Sequence, residues 1–137
     1  MLRTLDISTS GLMAQRERMN TISGNIANIN TTRNEEGKPS PFQRRLVNFA
    51  PEATPDGAPP GGVGVTFEVA IDTSAKPRQV FQPGHPDANA EGYVSFPGIS
   101  LTTEFVNAIE ASRAYEANVG AIDITKGILS ETLKILA

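Results

Sequence analysis

Residues 101–136 read LTTEFVNAIEASRAYEANVGAIDITKGILSETLKIL, and this stretch decides the fold of the chain. Its side chains repeat every seven residues in two rows, as in a helix that packs one face against a partner. One row holds Leu101, Ala108, Tyr115, Ile122, Leu129 and Leu136. The other row holds Phe105, Ser112, Val119, Lys126 and Leu133. A helix of about 35 residues is on the order of 50 Å long, which is more than a small domain needs to bury one face.

The beginning of this helix carries the expected local signals. Ser100 can cap the first turn, and Glu104 lies in that turn, where the helix dipole favours an anion. Oppositely charged pairs three residues apart add modest support. They are Glu110 with Arg113, Asp123 with Lys126, and Glu131 with Lys134.

The same helix carries a second apolar stripe outside those rows. Its members are Ala121, Ile124, Ile128 and Ile135. A helix with one partner needs one apolar stripe, so two stripes predict at least two packing partners. The alternative is that the middle of the chain covers the second stripe, since that segment is long enough to do so.

The other end of the chain, from Met1 to about Asn30, is also predicted to be helical. Its seven-residue row holds Leu5, Leu12, Met19 and Ile26, and Ile22 and Ile29 fill a second row in the later half only. The helix is predicted to end in the run Asn25, Asn28, Asn30, Thr31 and Thr32, because Asn competes for backbone hydrogen bonds and tolerates the left-handed conformation. We predict that the two helices pair with each other.

The middle of the chain is predicted to contain short strands. The alternation from Val63 to Ile71 is the best strand signal, and 42–49, 78–81 and 93–96 are weaker candidates. Residues 51–62 hold three glycines and four prolines, which indicates a loop.

The predicted fold class is therefore α+β. The N- and C-terminal helices pair as an antiparallel-type coiled coil, with a small irregular β-containing middle segment. Residues 1–32 plus 100–137 form a discontinuous helical domain, and residues 33–99 form a β-rich or irregular segment.

The composition argues against several classes of function. A net charge of −3 does not suit a nucleic-acid partner, and the pair Arg44 and Arg45 is best interpreted as part of a solvated loop. The absence of cysteine excludes disulfides, thiolate chemistry and Cys-ligated metal. The single histidine, His85, lies between prolines and is expected to be exposed and inert. Asp87 and Glu91 lack obvious further oxygen ligands for calcium. We expect no catalytic residue, no metal and no cofactor.

The N-terminus lacks the apolar core of a secretory signal, and no stretch approaches the roughly 20 apolar residues of a membrane span. We expect no direct membrane span. If the protein leaves the cytoplasm, it does so by a route that needs no signal peptide.

Two motifs give the chain a resemblance. Ser10, Gly11 and Leu12 begin a stretch that continues to the core Asn25, Ile26, Ala27 and Asn28. This stretch resembles the N-terminal signature of the flagellar rod and hook proteins. Residues 82–86, Gly92, Tyr93, Val94 and 104–119 are similar to the short proximal-rod members of that family.

The resemblance implies a structural subunit of the proximal rod of the bacterial flagellar basal body. Such proteins are exported by the flagellar type III apparatus without a cleaved signal and assemble in the periplasm. Their terminal helices pair as a coiled coil within a helical tube that transmits torque. The implied partners are further copies, other rod proteins, the basal-body ring and the export apparatus.

Periodicity predicts which side chains serve assembly. The helix-packing set is Leu5, Leu12, Met19, Ile22, Ile26, Phe105, Tyr115, Val119, Ile122, Leu129 and Leu133. The face for a second partner is Ile124, Ile128 and Ile135.

Three alternatives remain open at this point. One is another axial protein of the same system, although hook and distal rod proteins are usually longer. The second is a secreted coiled-coil effector or an export chaperone, which would not need the motif at residues 25–28. The third is an enzyme, which would need a carboxylate pair or a metal site.

Overall fold

The computed structural model describes residues 2–53 and 62–136. The elements in chain order are α1 (Leu2–Ala27), β1 (Arg45–Pro51), β2 (Val65–Ile71), β3 (Arg78–Phe81), β4 (Tyr93–Phe96) and α2 (Leu101–Leu136). The predicted α+β class is confirmed. The predicted bounds of α2, β3 and β4 agree with the structure.

Helix α1 ends a few residues earlier than predicted, and Asn28 ends it. The Asn28 side chain donates to the carbonyl of Gly24 (2.9 Å) and accepts the hydroxyl hydrogen of Thr31 (3.1 Å). The next backbone bond, from Ile29 N–H to Ile26 O, spans only three residues. These bonds replace the helical ladder, as expected of an asparagine beside a helix end.

The strands form two separate two-stranded sheets. In the β3–β4 sheet the strands are antiparallel, with Arg78 opposite Phe96 and Phe81 opposite Tyr93. The β1–β2 sheet is antiparallel too, because bonds from Glu52 N–H to Gly64 O and from Asp72 N–H to Arg44 O close its two ends.

The prediction of a strand over residues 42–49 was wrong at its beginning. Strand β1 begins only at Arg45, because the backbone N–H of Phe42 bonds the carbonyl of Thr31 and ties this residue to the chain after α1. Strand β2 likewise begins at Val65, two residues later than predicted. Most of the predicted loop at 51–62 lies outside the described residues.

The chain divides into two compact units. The first comprises Met1–Met19, Val47–Glu68 and Ala108–Ala137, and the second comprises Asn20–Leu46 and Val69–Asn107. Ala14 and Ala111 are buried in the first unit, and Ile22, Val94 and Ile99 are buried in the second. The division into a helical domain and a middle segment stays a prediction. Over residues 2–53 and 62–136, no helix is both long enough and apolar enough to cross a membrane.

Candidate assembly surfaces and the buried polar network

Helix α2 presents large apolar side chains to solvent. The predicted second stripe is exposed: Ile124 is 67% exposed, Ile128 55% and Ile135 83%. The described part of the middle segment therefore leaves this stripe open. Phe105, Val119 and Leu133 are exposed as well. Exposed apolar side chains in this number mark a binding surface more often than an inert one.

The side of α2 that is turned inward includes one of the two predicted rows but not the other. Of the two predicted rows, Ala108, Tyr115, Ile122 and Leu129 are half-buried. The predicted row of Phe105, Val119 and Leu133 is exposed at these three residues, and the row next to it is turned inward instead. It holds Glu104 and Ala111, which are fully buried, and Asn118, Thr125 and Thr132, which are half-buried. In α1, Ile22 is buried and Leu5, Leu12, Met19 and Ile26 are half-buried.

In the first unit, two contacts between α1 and α2 show how the helices run. A Cβ added to Gly11 would lie 3.1 Å from the side-chain amide of Asn118, and Arg18 donates to the Glu110 carboxylate at 3.0 Å. The contact partners descend along α2 as they ascend along α1, so the two segments run antiparallel here. Glu110 thus pairs with Arg18 of α1, whereas the sequence predicted a pair with Arg113 on its own helix. The predicted pair of Glu131 and Lys134 is present at 2.8 Å.

Ser10, the first residue of the N-terminal motif, connects α1 to β2 within the first unit. Its hydroxyl donates to the carbonyl of Ile7 (2.7 Å) and accepts the N–H of Val65 (2.9 Å). Val65 is the first residue of β2. The serine thus satisfies the backbone donor at the beginning of the strand, a role that the sequence alone did not indicate.

Asn25, in the core of the same motif, has a buried structural role in the second unit. Its side chain is within the last turns of α1 and is 1% exposed. It donates to the carbonyl of Arg45 (2.8 Å) and accepts the N–H of Arg45 (2.9 Å), as a neighbouring strand would. It also donates to Glu104 at 3.1 Å. The expectation that Asn25 serves to end the helix was wrong, because the helix continues past it.

Glu104 is the centre of this network, and its expected role was incomplete. It does lie in the first turn of α2, which Ser100 begins by accepting the N–H of Thr103 at 3.4 Å. Its carboxylate, however, is fully buried and accepts two hydrogen bonds from Arg44, at 2.9 and 2.7 Å. A buried charge needs such partners because leaving water is costly.

Arg44 completes the network, so its interpretation as a solvated loop residue was wrong. Its side chain is only 20% exposed and also donates to Asp72 at 2.7 Å. Burial by itself would lower the pKa of Arg44, but the bonds to Glu104 and Asp72 outweigh burial and raise it. The pKa of Asp72 is lowered by the hydroxyl of Ser74 and by Arg44. Arg45, in contrast, is exposed and lies over the ring of Phe42.

A second polar cluster in the second unit surrounds Asp87, whose side chain is 4% exposed. The carboxylate accepts the hydroxyl hydrogen of Thr32 and the Nε hydrogen of Arg33, each at 2.7 Å. His85 is half-buried, and its Nδ1 accepts the N–H of Asp87 at 3.1 Å, so the expectation of an exposed histidine was wrong. Asp87 therefore connects the β3–β4 turn to the segment after α1.

The C-terminal motif residues have identifiable roles in the β3–β4 hairpin. Gly92 has a φ of +83°, and a Cβ there would lie 2.9 Å from the ring of Phe81. The ring of Tyr93 packs edge-on against Phe81, with 5.3 Å between the centroids. Val94 is 1% exposed. The glycine is needed for the turn, and the next two residues hold the hairpin together.

We expect the protein to lose stability in acid, and we expect this loss to be smaller in the Asp87→Asn variant. The bond from Thr32, followed by the one from Arg33, lowers the pKa of Asp87 below its unfolded value of about 3.9. A carboxylate with a lowered folded pKa stabilises the fold above the unfolded pKa, and this stabilisation is lost as the pH falls through the folded pKa. Urea unfolding at neutral pH and near pH 3 measures the difference.

The matched control for this prediction is Glu36→Gln, since the Glu36 carboxylate is 68% exposed. The control should retain the acid sensitivity of the parent, whereas Asp87→Asn should show a shallower dependence on pH. Equal dependence in Asp87→Asn and the parent would contradict the role of this carboxylate.

These polar groups hold the chain together. The carboxylates of Glu104, Asp72 and Asp87 are all occupied by donors from the chain itself. Among residues 2–53 and 62–136, no three His, Asp or Glu side chains are grouped so that they could hold a metal ion. Among the surfaces that the described residues offer to a partner is the exposed apolar surface of α2.

Comparison with known proteins identifies both ends of the chain. The family model for the flagella basal body rod protein matches residues 5–33, and the model for the C-terminal part of the flagellar basal body rod FlgEFG proteins matches residues 90–135. The flagellar basal-body rod protein FlgC of Yersinia enterocolitica is 41% identical over 135 residues, covering 98% of this chain and 97% of that protein. The FlgC proteins of Bacillus subtilis and Salmonella typhimurium are 36% and 35% identical, covering 96% and 98% of this chain and 95% and 97% of their own.

Proposed function

The chain belongs to the FlgC family of flagellar basal-body rod proteins, and from this membership we propose that it enters the rod through its two terminal helices. It is a structural rod subunit of the basal body and is not an enzyme. Among the alternatives raised by the sequence, an effector, a chaperone and an enzyme are thereby set aside.

The exposed apolar surface of α2 is the observation that carries this proposal. Ile124, Ile128 and Ile135 lie on one stripe of the helix, and all three are exposed in the single chain. Burying apolar side chains is the main favourable term in association, at roughly 25 cal/mol per Å² of area removed from water. We infer that a neighbouring subunit covers this stripe.

The pairing of the two terminal helices as an antiparallel coiled coil is part of the proposal. The contacts of Gly11 with Asn118 and of Arg18 with Glu110 support it in the first unit. The bond from Asn25 to Glu104 supports it in the second unit. We further propose that this helical pair is the assembly domain and that the residues between about 33 and 99 form the outer part of the subunit.

The place of the subunit within the flagellum is inferred from its family. We propose that the subunit belongs to the proximal rod, that the flagellar type III apparatus exports it without a cleaved signal, and that it assembles in the periplasm. Its neighbours would be further copies, other rod proteins and the basal-body ring. A tube that transmits torque needs rigid, closely packed subunits, and the many hydrogen bonds within this chain suit that task.

Replacing Ile124 and Ile128 together with serine should abolish assembly while the subunit stays folded. Both side chains are more than half exposed, so the folded single chain loses few contacts. A neighbour would instead meet two hydroxyls, and each lost large apolar contact costs roughly 1.5–3 kcal/mol. In cells that lack their own copy of the gene, we expect about a hundredfold less variant than parent in isolated basal bodies, and no swimming.

The matched control is Glu116→Ser together with Ser130→Ala, at two exposed positions on the same helix. Circular dichroism of the purified variants checks that helix content is retained. Normal basal bodies with the Ile124 and Ile128 variant would show that this stripe is not an assembly surface. Failure of both the variant and the control would point to a general loss of the helix.

A further inference from the structure

Helix α2 turns a polar row inward although an apolar row lies directly beside it. The inward row is Glu104, Ala111, Asn118, Thr125 and Thr132. The adjacent row is Phe105, Ser112, Val119, Lys126 and Leu133, and its three large apolar members are exposed. On the other side of the inward row, Ala108, Tyr115, Ile122 and Leu129 are half-buried. A rotation that buried Phe105, Val119 and Leu133 would expose this row, so burial of apolar area alone does not choose between the two settings.

The hydrogen bonds of Glu104 supply the missing reason. Its carboxylate is fully buried, accepts two bonds from Arg44 and accepts one from Asn25. A buried network in which every member is satisfied specifies one geometry strongly, and a single buried polar side chain can set the register of paired helices. Rotating α2 by one residue would bring Phe105 to the place of Glu104 and leave Arg44 with Asp72 alone.

We propose that Glu104, held by Arg44 and Asn25, is a positioning residue that selects the rotational setting of α2. The selected setting keeps Phe105, Val119 and Leu133 on the outside. Their use by a neighbouring subunit rests on the proposed function, whereas the selection itself is a property of the single chain. The polar side chains therefore decide between two settings that the apolar pattern alone leaves open.

The absence of cysteine from the sequence makes this selection measurable on the purified protein. The substitutions Gly11→Cys and Asn118→Cys report the observed setting, since a Cβ on Gly11 would lie 3.1 Å from the Asn118 side chain. The substitutions Gly11→Cys and Val119→Cys report the rotated setting. In the parent, we expect the first pair to form its disulfide at least about tenfold faster than the second, since a minor state holds at most about a tenth of the molecules.

The test variant carries Glu104→Leu and Arg44→Leu, which removes both charges and leaves neither one buried alone. We expect the ratio of the two disulfide rates to fall by about tenfold or more, with the Val119 pair becoming faster. The matched control carries Glu110→Leu and Arg18→Leu, an ion pair between the same helices whose carboxylate side is 62% exposed. The control should keep the parent ratio within about twofold.

A milder variant, Glu104→Gln, keeps the experiment decisive if the double variant loses its helix content by circular dichroism. It should shift the ratio in the same direction by a smaller factor. An unchanged ratio in the folded variants would overturn the proposal. Loss of helix in both variants would also overturn it, because the network would then be needed to form the helices and would not choose between two settings of formed ones. None of these results depends on rod assembly, so they are separate from a failure of the proposed function.

Discussion

Glu104→Ala is expected to lower the free energy of unfolding by about 3–5 kcal/mol, because it breaks a buried ion pair from one side. The substitution removes both bonds that Arg44 makes to the carboxylate, at 2.9 and 2.7 Å. Arg44 is then left largely buried with only Asp72 as a partner. It also takes away the acceptor of one Asn25 N–H bond. Typical domains have about 5–15 kcal/mol in total, so this loss would be severe.

Urea unfolding followed by circular dichroism measures this loss, and Glu110→Ala is the control. Glu110 lies on the same helix and also forms an ion pair with an arginine of the chain, but its side chain is 62% exposed. Exposed pairs contribute about 0–1 kcal/mol, so the control should unfold close to the parent. Equal losses in the two variants would mean that burial of the Glu104 network contributes nothing beyond an ordinary surface pair.

The elements of this fold were predictable where the signal is local. The bounds of α2, β3 and β4 follow from periodicity and from the glycines and prolines between them, since each pattern is complete within one segment. Asn28 ends α1 by local side-chain bonds, which is why an asparagine-rich run gave nearly the right end. Strand β1 was misplaced because Phe42 bonds the distant Thr31, and no local pattern contains that contact.

The inward row of α2 could not be read from apolar spacing, because spacing weighs hydrophobicity alone. Glu104 and Arg44 are 60 residues apart in the chain, and neither looks like a core residue by type. A signal was nonetheless available. Glu104, Ala111 and Asn118 are spaced seven residues apart and form a row of small and polar side chains. Asn25 belongs to a family motif that has no obvious catalytic use. An asparagine of such a motif on a helix can therefore be predicted to be buried and to bond the backbone of a neighbouring segment.

The exposed stripe of α2 was predicted as a face for a second packing partner, with one alternative left open. The alternative, that the middle segment covers Ile124, Ile128 and Ile135, depended on where that segment lies, which composition does not determine. The exposure of these side chains now favours an outside partner. The remaining packing residues predicted from periodicity stay predictions of assembly until variants at those positions are tested.

Asn25→Ala is expected to destabilise the protein by about 2–4 kcal/mol, because it leaves buried polar groups without partners. The side chain bonds both the N–H and the carbonyl of Arg45, so alanine removes the partner of each at the first residue of β1. Glu104 loses one donor as well. Each buried polar group left unpaired costs about 1–3 kcal/mol, and water reaching the cavity would recover part of that.

Asn28→Ala is the control from the same motif, and the geometry predicts a smaller loss of about 1 kcal/mol. The carbonyl of Gly24 accepts from both the backbone and the side chain of Asn28, so it keeps one donor when the side chain is removed. Hydrogen exchange distinguishes the two effects, because the Arg45 amide should exchange much faster in Asn25→Ala and at the parent rate in Asn28→Ala. A protected Arg45 amide in Asn25→Ala would mean that the strand begins without the asparagine. In that case the motif would act on assembly rather than on the fold of the single chain.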